Sequence, residues 1–82
     1  MADDKRRPRT VTGRKRVAQR DIAKGGIPHH EGWDAATEDA LKKKLKWDPG
    51  DYANVRVEYV AKVHVENPGT ITEYAVRLVP GG

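Results

Sequence analysis

The 82-residue chain has no cysteine, no serine and no phenylalanine. Without cysteine there is no disulfide and no thiolate zinc site. Without cysteine or serine the commonest covalent nucleophiles are missing, and the threonines stand in no motif. Aromatic residues are few, two Trp and three Tyr. No apolar run approaches the roughly 18 to 20 residues of a membrane span, and "MADDKRRPR" has no apolar segment after its positive charges. These absences give the expectation of a cytoplasmic, non-enzymatic protein with no cofactor, no metal and no membrane partner. A chain this short builds a thin core, and with disulfides excluded the expected supplement is homo-oligomerisation.

Charge is plentiful and unevenly placed. The net +4 divides into +6 over residues 1–20, with eight Lys or Arg against two Asp, and −2 over residues 21–82, with eight against ten. Large apolar residues run the other way, lying mostly after Ile27. The pattern reads as a basic N-terminal arm over residues 1–26, largely disordered or weakly structured, and an α+β oligomerising domain over residues 27–82. Lys5, Arg6, Arg7, Arg9, Arg14, Lys15, Arg16 and Arg20 are the candidate contacts to an anionic partner, nucleic acid above all. Each could neutralise a phosphate and release a counterion, and arginine meets phosphate oxygens two at a time. Equal weight falls on the plainer readings, a solubilising tail or one docked on the acidic body. No aromatic residue lies in the arm, so base stacking is not on offer there.

Within the arm, residues 13–24 admit two readings. Thr12 could cap a short helix ending at Lys24 with Gly25 in the C′ position, and "RKRVAQRDI" could instead be a strand. After Gly25, Gly26 and Pro28, "EGWDAATEDALKKKLKW" carries Trp33, Ala36, Ala40, Leu41 and Leu45 on one helical face. Asp34 is the expected N-cap, Glu38–Lys42 and Asp39–Lys43 are acid-first i,i+4 pairs, and "DPG" at 48–50 ends the element. From Asn54 the period becomes two. "VRVEYVAKVHV" sets Val55, Val57, Tyr59, Ala61, Val63 and Val65 against Arg56, Glu58, Lys62 and His64.

"NPGT" reads as a turn into the strand "TITEYAVRLV". Setting Asn67 opposite Thr70 makes the apolar faces coincide and pairs His64 with Glu73, a cross-strand contact rather than a catalytic dyad. A slightly longer loop is the alternative. The expected fold is therefore α+β, one amphipathic helix on an antiparallel hairpin or three-stranded sheet. The third strand comes from "VTGRKRVAQRDI" or from another subunit, and Ile71, Val60 and Val79 on the nominal outer face suggest a second packed surface.

"PHHEGWD" gathers His29, His30, Glu31 and Asp34, but adjacent histidines diverge and no i,i+4 His pair completes a metal site. A helix start is the better reading. Trp33 and Trp47 could clamp a ligand, although core and rim of the helix packing is the commoner use of such a pair.

The segments "TEDALKKKL", "VRVEYVAKVHVEN" and "GTITEYAVRL" resemble those of dodecins, small flavin-binding proteins built as strand, helix, strand, strand. The resemblance covers the last fifty residues or so and implies a hollow twelve-subunit shell. The family's flavin-holding Trp and Gln correspond here to a position near Val55 and to Ala75. The alternatives to a polyanion-binding module are thus a dodecin-like oligomer that sequesters a small aromatic ligand such as flavin, or a structural assembly subunit.

Overall fold

The computed structural model describes residues 9–46, 54–65 and 69–81. Strand β1 (Val11–Arg16) leads into a short helix α1 (Gln19–Ala23) and a long helix α2 (His29–Lys43), which tightens into a 3-10 turn (Lys44–Lys46). Strands β2 (Val55–His64) and β3 (Thr70–Pro80) complete an α+β fold whose antiparallel sheet has the order β1-β3-β2. Among the described residues no helix is long and apolar enough to cross a membrane.

Residues 11–23 form a strand followed by a short helix, so neither reading of residues 13–24 holds over its whole length, and Thr12 lies in β1 while Ala18 takes the cap position of the helix. The basic segment supplies the third strand, and β1 pairs with β3 from Val11 opposite Leu78 to Arg16 opposite Glu73. The chain then turns through buried Val17 into α1. Gly25 stands at C′ of α1 with φ 100°, and the Gly25 and Gly26 amides return to Ile22 and Asp21 carbonyls at 3.0 and 2.7 Å. The division at residue 26 is accordingly not the one the fold makes, because residues 11–23 are part of the packed unit. Residues 1–8 lie outside the described residues.

The reason lies in one residue of β1. Gly13 is buried, and a Cβ placed on it would overlap the Ala36 carbonyl oxygen and the Ala40 amide nitrogen. Glycine lets the helix backbone come directly onto the strand. Ala36 and Ala40 are fully buried at that contact, and Gly32, one turn earlier, lies against the buried ring of Tyr74. The core is completed by Val76 and Leu78 of β3, and burial raises the Tyr74 phenol above its ordinary pKa of 10.0.

Small residues thus form the buried stripe of α2. Leu41 and Leu45, expected on that stripe, are exposed. Helix α2 starts at His29, with Pro28 in the cap position, so Asp34 lies inside the helix rather than capping it. The "DPG" stop and Trp47 fall outside the described residues.

The same contact closes one edge of the sheet. In β1 the backbone groups of Thr12 and Arg14 point away from β3. The Arg14 N–H donates to Asp39 Oδ2 at 2.9 Å, and Lys43 Nζ donates to the Thr12 carbonyl at 2.6 Å. Asp39 and Lys43 are the predicted i,i+4 pair, 3.2 Å apart. A helical ion pair therefore takes the place of a neighbouring strand.

On the other side, β2 pairs with β3 as Tyr59 opposite Val76 and Ala61 opposite Tyr74. This is two residues away from the expected register. An even shift keeps the side chains of Val55 to Lys62 on their expected faces, but past Lys62 the register moves by one more, and Ile71, expected on the outer face, stands opposite Val63 and packs against the core. Lys62 rather than His64 now stands opposite Glu73, and His64 stands opposite Thr70 beyond an irregularity at Lys62/Val63. Asn67 and Pro68 of the expected turn lie outside the described residues.

Two outcomes follow from this packing. Gly13→Ala should cost about 3 kcal/mol or more in chemical denaturation, because the clash is with helix backbone that cannot rotate aside. The Arg14 amide, and next Lys43, holds the Asp39 carboxyl below its ordinary pKa of 3.8. A depressed folded-state pKa contributes stability that is complete above the unfolded value and disappears as pH falls through the folded one. Acid unfolding of Asp39→Asn should therefore show a shallower loss of stability below about pH 4 than the parent chain. An identical acid limb would contradict the role given to Asp39.

Candidate cationic face

The sheet has one face under α2 and one face turned away from it. Alternation puts Arg14 and Arg16 of β1, Glu73, Ala75 and Arg77 of β3, and Arg56, Glu58, Val60 and Lys62 of β2 on the outer face. Gly13, Tyr74, Val76 and Leu78 occupy the inner face with the core.

Two carboxylates organise the outer face, and each is shared by two guanidiniums. Glu73 lies 3.1 Å from Arg14 and 3.7 Å from Arg16, while Glu58 lies 3.2 Å from Arg56 and 3.3 Å from Arg77. Lys62 stands opposite Glu73 across the β2–β3 pair. Five cationic side chains against two carboxylates leave this face at +3. Glu73 is 16% exposed and Arg16 88% exposed, so the acid is sunk beneath the bases that flank it. A guanidinium has five donors, and a half-share of one carboxylate leaves most of them for another acceptor.

The eight residues singled out in the sequence are dispersed by this arrangement. Arg14 and Arg16 belong to the face, and Arg9 is exposed just ahead of β1. Lys15 takes the opposite side of β1 and lines an open depression with Arg16, Arg20, Asp21 and Glu31. Lys5, Arg6 and Arg7 lie outside the described residues. Arg56, Lys62 and Arg77 join the face although the arm-and-body division left them out. Their signal was the polar half of the period-two pattern, legible once the strands were paired.

Among the described residues, no three His, Cys, Asp or Glu side chains come together as a metal-binding group. His29 opens α2 with its ring 6.3 Å from Tyr74. Trp33 is held edge-on between Tyr59 at 5.3 Å and Tyr74 at 4.9 Å, in the geometry of core packing. No protein-family model, curated protein or solved structure matches the chain.

Glu73→Gln separates the two roles of the outer face. Its loss should lower stability by no more than about 1 kcal/mol, as for other exposed ion pairs, while freeing Arg14 and Arg16. The surplus on the face goes from +3 to +4, so polyanion affinity of this variant should rise relative to the parent chain in a titration at low salt, and an unchanged affinity would show that binding does not use this face.

Proposed function

We propose that this chain is a cytoplasmic, non-enzymatic binding module that acts as a homo-oligomer and holds a polyanion, nucleic acid in particular, on the outer face of its sheet. The observation that carries this reading is the pair of carboxylates each shared by two arginines, which fixes a row of guanidiniums on a rigid strand surface while leaving a surplus of +3. Arginines held by strand backbone lose less freedom on binding than the same residues on a free tail.

The described outer face carries no aromatic side chain, so the contacts are to phosphates rather than to bases. Arg9 is exposed where the chain enters β1, and the charge of Lys5, Arg6 and Arg7 adjoins it in sequence. Oligomerisation is supported by the apolar side chains that β2 leaves uncovered, including Tyr59 and Val60.

A second reading, a dodecin-like oligomer that sequesters flavin, is favoured by the long helix between the first strand and a pair of strands, although a short helix α1 precedes it. Quenching of flavin fluorescence by saturating protein would support it, and undiminished fluorescence would remove it.

Removing residues 1–20 would take away β1, so charge substitution in the full chain is the cleaner test of the polyanion reading. Anisotropy titrations with a short DNA duplex should give an affinity that falls linearly on a log–log plot against salt. Arg14→Gln/Arg16→Gln should flatten that slope by about 0.9 for each phosphate no longer neutralised. A slope unchanged by the double substitution, or no binding at low salt, would overturn the reading.

A further inference from the structure

The two sheet edges are treated differently. On β1 the Asp39–Lys43 pair of α2 occupies the outward backbone groups. On β2 the Asn54 carbonyl accepts from Gly81, and the Lys62 carbonyl accepts from the Thr72 hydroxyl, so even-numbered residues turn their backbone groups to β3. Alternation then directs the N–H and C=O groups of Val55, Val57, Tyr59 and Ala61 away from the sheet. Helix α2 packs on β1 and β3 and is displaced from β2, leaving Val57 42%, Tyr59 62% and, on the outer face, Val60 52% exposed. A ten-residue edge with apolar side chains on both faces is a template for another strand.

We infer that the occupant of this edge is β2 of a second copy of the chain, paired antiparallel about a two-fold axis through Val60. This rests on the homo-oligomeric reading and specifies its interface. Self-pairing between residues i and j of the two copies is selected first by face. An odd value of i + j sets the polar side of one strand beside the apolar side of the other, so only even sums keep the sheet's two faces continuous.

Charge and apolar matching then select among the even sums, since Ala61 on the axis would set Val60 against Lys62 of the other copy. With Tyr59 on the axis, Arg56 faces Lys62 of the other copy twice, a like-charge pair on each side. With Val60 on the axis, Glu58 faces Lys62 of the other copy twice, Tyr59 faces Ala61, Val57 faces Val63 and Arg56 faces His64. This register overlaps residues 56–64 completely and gives each exposed valine or tyrosine an apolar neighbour across the junction. The result is one six-stranded sheet whose two cationic outer faces are continuous.

Val60 directs its own backbone groups to β3, so the Val60 pair on the axis is a non-hydrogen-bonded one, with Cα atoms about 4.5 Å apart. That spacing accepts a disulfide. Because the chain has no cysteine, Val60→Cys introduces the sole thiol. Val57→Cys serves as its control, since in this register the two Val57 residues are six strand positions apart, about 20 Å.

Native mass should be twice the 9.2 kDa of the chain, and Val60→Lys should reduce it to one chain while far-ultraviolet circular dichroism is unchanged. Under oxidation Val60→Cys should run as a covalent dimer on non-reducing gels and Val57→Cys should not. A parent chain that is monomeric at every accessible concentration would overturn the homo-oligomeric reading itself. An oligomer that survives Val60→Lys, or that cross-links in the Val57→Cys variant but not in the Val60→Cys variant, would leave that reading standing and overturn the interface.

Discussion

A missing side chain decides how this molecule is put together. At Gly13 the strand has no Cβ, and the α2 backbone at Ala36 and Ala40 rests on it directly. Because the helix is drawn over β1, Asp39 and Lys43 reach the outward backbone groups of that strand and close it. Because the helix is drawn over β1, it is also drawn away from β2. One close approach thus produces a sealed edge and an open one, which a helix centred on the sheet would not do.

The consequence for charge is less direct but follows the same geometry. Once the basic segment becomes a strand, alternate residues are forced to opposite faces, and Arg14 and Arg16 separate from Lys15. The two arginines arrive beside Glu73, while Glu58 from β2 gathers Arg56 and Arg77. Cations drawn from three strands make a surface that a cationic tail could not hold in fixed positions. Such ion pairs contribute little to folding when exposed, so their worth is in ordering side chains rather than in stabilising the chain.

Much of the fold was legible from period and punctuation. The helix, both strands of the hairpin and their facing sides follow from spacings of 3.6 and 2, and Gly25 marks the end of α1 as its position suggested. The register was displaced by two, since parity is visible in a pattern while loop length is not. β1 was only one of the alternatives open for its segment, because its apolar content is too low for alternation to decide. Its residues pair through backbone, and its closest contact is made by a glycine, which no hydrophobic pattern records. The outer-face cations were visible as the polar half of β2, but only the strand order β1-β3-β2 places them beside Arg14 and Arg16.

The seating of α2 on β1 is the claim on which the edge asymmetry depends, and amide hydrogen exchange at Arg14 tests it most directly. Its N–H points out of the sheet, so in an open edge strand it would exchange freely. The account predicts protection of the Arg14 amide comparable to that of Gly13 and Lys15, whose groups face β3. An Arg14 amide exchanging at the rate of an unstructured peptide, while Gly13 and Lys15 stay protected, would contradict it.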